Sequence, residues 1–201
     1  MIIHSDIEQR SPEWFALRCG RITGTRIGDM AGGKPPTVEL LCKKIAAEIL
    51  TGQSVEKSFT SDAMQAGIDT EAEARAAYEM ETLSRVWEVG FISEGELFGV
   101  SPDGLIGDEG MVELKCPLAS THIGYLMAGG KAWRSYRWQI QGQLWVSGRD
   151  YVDFVSYCPT FPESKQLLIE RVVPDAKDFA VMDERAEQCK ARIAEILEAV
   201  R

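Results

Sequence analysis

The sequence lacks the cysteine pattern of a metal site or of a disulfide framework. Its five cysteines are scattered and include no Cys-x-x-Cys pair; they are Cys19, Cys42, Cys116, Cys158 and Cys189. An odd number without metal-ligand spacing argues against a zinc site, an iron–sulfur cluster and structural disulfide bonds. We expect these side chains to be small buried apolar groups in a reducing compartment.

Long apolar runs are also missing. No stretch approaches the roughly 20 apolar residues that a membrane-spanning helix needs. Residues 1–6 do not combine a basic segment with an apolar one, so no secretory signal is visible. We therefore expect a cytoplasmic protein without a membrane partner.

Positive charge is scarce. The chain has 22 Lys and Arg against 31 Asp and Glu, a net charge of −9, which argues against a generally basic nucleic-acid-binding surface. Basic residues are nevertheless clustered in two segments; they are Arg18, Arg21, Arg26 and Lys34 in the first and Lys131, Arg134 and Arg137 in the second. A local basic groove on an acidic protein is compatible with this pattern, because binding depends on the local field.

The length and the order of elements predict one α/β domain over residues 1–201. The composition is 45% hydrophobic and 26% charged, as in globular proteins. Periodicity and caps predict helices and strands in a mixed order. The helices are 12–18, a short one after a turn at 22–25, 37–50, 61–81, 120–127, 136–146 and 175–200; the strands are 85–92, 97–100, 111–116, 151–157 and 166–173. This order predicts a central mixed β-sheet flanked by helices.

The most informative motif is Ser101-Pro102-Asp103-Gly104 followed by Glu113-Leu114-Lys115. Asp103 lies at a turn after one strand. Glu113 and Lys115 lie in the next strand and share a face, because side chains alternate along a strand. Two carboxylates beside an amine can hold a divalent metal and position a water for attack on phosphorus. The motif therefore predicts a metal-dependent nuclease site.

Each half of this motif has a simpler interpretation. Pro-Asp-Gly is a favoured turn, and Glu113 and Lys115 could form a solvated ion pair. The ordered combination across a short loop favours the nuclease site. It resembles the PD-(D/E)XK nuclease superfamily, here as Pro102-Asp103, Glu113 and Lys115.

A second candidate site combines Arg18 and Thr25. Arg18 lies at the predicted end of one helix and Thr25 at the start of the next. A helix N-terminus and an arginine both suit a phosphate. The alternative, that Arg18 caps carbonyl groups and Thr25 caps a helix, is about equally compatible with the spacing.

Three further polar residues lie on predicted helices. Glu71 alone is indistinguishable from an ordinary exposed glutamate. Gln139 and Gln143 share a helix face, where neutral amides could hold DNA or the site lysine, or could cap strand ends.

The full set of motifs resembles the lambda-type phage exonuclease, or viral recombinase, family of that superfamily. The resemblance extends over residues 12–147. The motifs that carry it are Leu17-Arg18-x-Gly20 with Ile22-Thr23-x-Thr25, Gly67-x-x-x-Glu71, Ser101-Pro102-Asp103-Gly104, Glu113-Leu114-Lys115-Cys116-Pro117 and Gln139-x-Gln141-x-x-Leu144-Trp145-Val146.

The resemblance implies a magnesium-dependent 5′-to-3′ exonuclease that acts on linear double-stranded DNA ends. It would release mononucleotides and leave a 3′ single strand for recombination. Two Mg²⁺ ions per site are implied, with Mn²⁺ as a substitute. A homotrimeric ring, a single-strand annealing protein as partner, and a phage or prophage origin in a bacterial cytoplasm are implied as well.

The resemblance also implies residue roles. Asp103, Glu113 and the backbone carbonyl of Leu114 would bind metal, and Lys115 would orient or deprotonate the attacking water. The supporting residues would be Glu71 and Gln139, and the 5′-phosphate would be bound by Arg18 and Thr25. Thr25 stands where serine is familiar, but it keeps the hydroxyl group.

Two alternatives stay open at this point. One is a structure-selective endonuclease of the same superfamily. The other is a DNA-end-binding protein without catalytic activity, which the intact set of Asp103, Glu113 and Lys115 disfavours.

Overall fold

The computed structural model describes the backbone of residues 1–55 and 62–201, and the side chains of residues 1–55 and 70–201. The helices are α1 (Pro12–Arg18), α2 (Thr25–Gly32), α3 (Pro35–Thr51), α4 (Asp62–Thr82), α5 (Ala119–Met127), α6 (Arg137–Ser147), α7 (Glu163–Gln166) and α8 (Ala176–Ala199), with a 3₁₀ helix at Ala132–Tyr136. The strands are β1 (Ile2–His4), β2 (Ile22–Thr23), β3 (Phe91–Glu94), β4 (Phe98–Val100), β5 (Gly104–Ile106), β6 (Gly110–Lys115), β7 (Tyr151–Tyr157) and β8 (Leu167–Val172). The mixed α/β class is confirmed.

Local capping chemistry explains where α1 and α8 begin. The Ser11 hydroxyl accepts a hydrogen bond from the backbone N–H of Trp14 at 3.2 Å, and Pro12 occupies the first turn of α1. The Asp175 carboxylate accepts from the backbone N–H of Lys177 at the start of α8. The predicted helices end within two residues of their expected positions, but the predicted start of α4 at residue 61 lies outside the described residues.

The strands form two four-stranded sheets, each of which is mixed. The first has the order β1-β3-β4-β2, and the second has the order β5-β6-β7-β8. In the second sheet, the central pair β6 and β7 runs parallel and the two outer pairs run antiparallel. The chain leaves the first sheet at the end of β4 and enters the second at β5, so the Pro102-Asp103 turn joins the two sheets.

Three details differ from the predicted strands. The segment 85–92 is not one strand: β3 begins at Phe91, and only Trp87 forms an isolated bridge, to Leu105. Ile22–Thr23, expected as a turn, is strand β2 and pairs in parallel with β4. The strands β1 and β5 were not predicted, because three residues are too few for a periodicity signal.

Helix α6 lies between the two sheets and carries the centre of the core. It contacts β3 and β4 of the first sheet and β7 of the second. Its residues Ile140 and Leu144 are fully buried, with Ile92 of β3 and Phe154 of β7 in the same hydrophobic cluster. On its other faces α6 packs against α2 and α8, and its Gln139 and Gln143 side chains reach Glu113 of β6. Within the described residues, no helix is long and apolar enough to cross a membrane.

A buried ion pair joins α2 to α3, and its glutamate also binds the backbone of the segment between α1 and α2. Arg26 is 5% exposed and Glu48 is 1% exposed. Their side chains form two hydrogen bonds of 2.6 and 2.8 Å, and Glu48 also accepts from the backbone N–H of Gly20 at 2.9 Å. Arg26 was grouped with the basic residues of a possible DNA-binding groove, but the structure turns it inwards.

The pair predicts a large stability difference between two glutamates of α3. Glu48→Ala should lower the free energy of unfolding by about 3–5 kcal/mol, because it leaves the Arg26 guanidinium buried without its partner. Glu39→Ala, also on α3, removes a half-exposed pair with Arg192 of α8 and should change stability little. Urea denaturation followed by circular dichroism measures both, and equal midpoints for the two variants would contradict the assignment.

Candidate active site

The turn between the two sheets brings Asp103 against strand β6. The backbone N–H of Asp103 donates to the carbonyl of Val112 at 3.1 Å. The Asp103 carboxylate, through Oδ2, accepts from the backbone N–H of Leu114 at 2.6 Å. The antiparallel register of β5 and β6, which pairs Gly104 with Val112, fixes this position. The predicted turn at Asp103 is thus present and locked to the predicted strand.

The Leu114 carbonyl faces the same edge as Asp103. In an extended strand, the N–H and the C=O of one residue point to the same side. Because the N–H of Leu114 donates to Asp103, its carbonyl oxygen points to the same edge of the strand. The β5–β6 ladder ends at Gly104 and Val112, so this carbonyl lies beyond the paired region.

Glu113 is the buried centre of the site. It is 1% exposed, and three side chains donate to its carboxylate. Gln139 Nε2 donates to Oε1 at 2.6 Å, Gln143 Nε2 donates to Oε2 at 2.5 Å, and Lys115 Nζ donates to Oε1. Lys115 and Glu113 share the strand face that alternation predicts, while Val112 and Leu114 pack in a separate apolar cluster.

The charges of the site influence one another strongly. Burial raises the pKa of Asp103 well above its usual range, and the negative charges of Glu113 and Glu71 raise it further. Burial lowers the pKa of Lys115, but Glu113 and Asp103 outweigh that effect and hold it above its ordinary value. The Lys115 ammonium group also lies 4.8 Å from the ring centre of Tyr136. The site therefore concentrates negative charge that a cation would relieve.

Glu71 faces the same cavity as Asp103 but is held by arginines. The cavity has a volume of about 370 Å³ and is lined by both carboxylates. Glu71 Oε2 lies 3.3 Å from Arg10 Nη2, and Glu71 Oε1 lies 3.7 Å from Arg75 Nη2. Among the described side chains, no group of three His, Cys, Asp or Glu residues converges as a ready metal site. The oxygen donors Asp103, Glu113 and Leu114 fit Mg²⁺ by their chemistry.

Arg18 and Thr25 line a second cavity of about 200 Å³. Arg18 is the last residue of α1, and Thr25 is the first residue of α2, as predicted. The Arg18 guanidinium lies 4.2 Å from the ring centre of Trp14. Trp14 Nε1 in turn donates to the carbonyl of Gly90 and to the hydroxyl of Ser101, each at 2.9 Å. The tryptophan thereby fixes Arg18 beside the strand that leads to Asp103.

The second cavity also contains the glutamines of α6. Gln139 and Gln143 line it together with Arg18 and Thr25. Since both amides bind Glu113, the cavity of Arg18 and the carboxylate site share one wall. The structure thus brings together residues from four separate sequence motifs.

Sequence reasoning missed two residues of this region and left the role of a third open. For Gln143, as for Gln139, the sequence left open whether the amide holds DNA or the site lysine or caps strand ends; in the structure it donates to the second oxygen of Glu113. Gln9 and Arg10 line both cavities, and they precede the helix cap without any motif of their own. A search for polar residues next to a predicted helix start could have found them.

The fold and the site define a nuclease of the PD-(D/E)XK type. Residues 13–150 match the model of the YqaJ-like viral recombinase domain. An alkaline exonuclease from Laribacter hongkongensis, with a further structure in complex with dAMP, is 34% identical; the match covers 94% of this chain and 96% of that one, with a TM-score of 0.84.

The chain belongs to the YqaJ-like viral recombinase family, so the predicted phage exonuclease family is confirmed. A phage-related exonuclease from Haemophilus somnus 129PT has the same fold, with a TM-score of 0.72 at 13% identity over 90% of this chain and 96% of that one. A comparison with curated proteins gives no match.

We expect substitution of Gln143 to weaken metal binding, and substitution of its neighbour Gln141 to leave metal binding unchanged. Gln143→Met removes the donor to Glu113 Oε2 and should cost about 1–3 kcal/mol of stability, with weakened metal binding. Gln141→Met, also buried on α6, removes bonds to Val173 and Asp175 and should destabilise without altering metal affinity. Calorimetric titration with Mg²⁺ distinguishes them; equal affinities in both variants would contradict a role for Gln143 in the site.

Proposed function

We propose that this protein is a magnesium-dependent exonuclease that degrades one strand of linear double-stranded DNA from the 5′ end. The observation that carries the proposal is the shared wall of Gln139 and Gln143. On one side of it lies the carboxylate site of Glu113, and on the other lies the cavity of Arg18 and Thr25. A site for hydrolysis beside a site for an anion suits cleavage at a fixed distance from a phosphorylated end.

The polar residues of the site have separate roles in this proposal. Asp103, Glu113 and the Leu114 carbonyl would hold the metal, with Glu71 as a further acid in the cavity. Bound Mg²⁺ supplies stabilisation of the attacking and leaving oxygens of an in-line displacement. Gln139 and Gln143 orient the Glu113 carboxylate by donating to both of its oxygens. Lys115, held as an ammonium group, stabilises negative charge near the reacting phosphate.

The Arg18 cavity would determine the direction of digestion. A guanidinium group binds a terminal phosphate with two hydrogen bonds, and the start of α2 at Thr25 provides backbone N–H groups and the positive end of a helix dipole. The Laribacter hongkongensis relative was solved with dAMP, and a deoxynucleoside monophosphate is the product expected of such an enzyme. The homotrimeric ring and the annealing partner stay predictions that rest on the resemblance, and the cytoplasmic location stays a prediction from the sequence.

Lys115→Ala should lower digestion of linear duplex DNA in Mg²⁺ by about a hundredfold or more, because an electrostatic donor is lost next to the reacting phosphate. Lys177→Ala, on the exposed surface of α8, is the matched control and should retain full activity. Nucleotide release measured over time gives the rates. Full activity of Lys115→Ala in a folded protein would remove this lysine from the site.

The end of the DNA provides the test of direction. Wild-type protein should digest a 5′-phosphorylated duplex faster than a 5′-hydroxyl duplex, and Arg18→Ala should abolish this difference by removing the phosphate ligand. Closed circular duplex should be spared. Cleavage of the circle would favour an endonuclease, and DNA binding without nucleotide release in any divalent metal would favour an end-binding protein.

A further inference from the structure

Arg10 lies where the two cavities of the site meet. It lines the cavity of Glu71 and Asp103, and it also lines the cavity of Arg18 and Thr25. A group that binds in either cavity can therefore contact Arg10. Arg10 belongs to none of the motifs on which the family resemblance depends.

The backbone on both sides of Arg10 is anchored. Gln9 Nε2 donates to the carbonyls of Val89 and Pro102, each at 2.9 Å, which ties this residue to the turn of Asp103. Ser11 caps α1. Arg10 itself has a φ of +71°, a left-handed conformation that is strained for a residue with a side chain. Such strain persists only where the surroundings impose it, and it is common at functional sites.

The Arg10 side chain is only loosely engaged. Its contact with Glu71 Oε2 is 3.3 Å long, and its side chain is 51% exposed. A guanidinium group has five N–H donors in a planar fork. Arg10 can therefore keep one contact with Glu71 and present its other donors to an anion in the cavity.

We infer that Arg10 binds the scissile phosphate of the DNA strand, one nucleotide inward from the terminal phosphate. The inference rests on the proposed function and deepens it. With the terminal phosphate at Arg18, the next phosphate lies towards the carboxylates, where Glu71, Asp103 and Glu113 would repel it. A cation at the junction of the cavities offsets this repulsion and holds the phosphate in position for attack.

Binding of a duplex end in EDTA tests the role without digestion. The probe is a fluorescent linear duplex, and its anisotropy is titrated with protein at several salt concentrations. Arg10→Gln should weaken binding about tenfold, equivalent to about 1.4 kcal/mol, and should reduce the slope of log K against log salt by about 1. Arg10→Lys keeps the charge and should retain most of the slope.

Arg75→Gln is the matched control, because Arg75 also pairs with Glu71 but lines only the first of these two cavities. It should leave the salt slope unchanged. Arg10→Gln should weaken the binding of 5′-phosphorylated duplex and of 5′-hydroxyl duplex by equal factors. Two results would overturn the assignment to the scissile phosphate. One is that Arg10→Gln binds duplex DNA with the same affinity and salt slope as Arg75→Gln. The other is that Arg10→Gln weakens the binding of 5′-phosphorylated duplex only.

The two proposals fail in different ways. Wild-type protein that releases no nucleotides from any DNA would overturn the proposed function. Wild-type protein that digests DNA from the 5′ end, together with an Arg10→Gln variant whose binding and salt slope match those of wild type, would overturn only the role of Arg10. Thermal denaturation of each variant verifies that it is folded.

Discussion

The burial of one carboxylate, Glu113, constrains the rest of the site. An ionised carboxylate cannot be removed from water without hydrogen-bond donors or an opposite charge. Glu113 obtains them from Lys115 on its own strand and from Gln139 and Gln143 on α6. Helix α6 must therefore pack with its glutamine face towards β6, and β6 must keep its register, since a slip of one residue would turn Glu113 to the other face.

The parts of the structure that sequence predicted are those set by local chemistry. Alternation along β6 placed Glu113 and Lys115 on one face, and the Pro-Asp-Gly turn placed Asp103 next to them. Helix α1 begins at its expected cap, so Arg18 falls at its end as predicted. Each of these features depends on residues that are close in the sequence, such as Asp103 and Leu114, 11 positions apart, so a short stretch of the sequence contains the pattern.

The features that sequence did not predict depend on distant partners. Residues 85–90 have the composition of a strand, but only Trp87 finds a bridge partner, in β5. In the sequence, Arg26 is indistinguishable from an exposed cation; in the structure, it forms a buried ion pair with Glu48 of α3. Gln143 becomes important because the strand opposite it carries a buried acid. Pairing across the fold decides these cases, and a single sequence does not record which segments meet.

The distribution of charge resolves the conflict between an acidic protein and an anionic substrate. Several arginines are committed to carboxylates: Arg26 to Glu48, Arg137 to Asp178 and Arg171 to Asp153. Arg10, which also contacts Glu71, and Arg18 line the cavities next to the carboxylate site. A net charge of −9 sums over all of these groups, whereas a phosphate in the site responds to the few charges within about one Debye length, roughly 8–10 Å. The local arrangement, and not the sum, determines what can bind there.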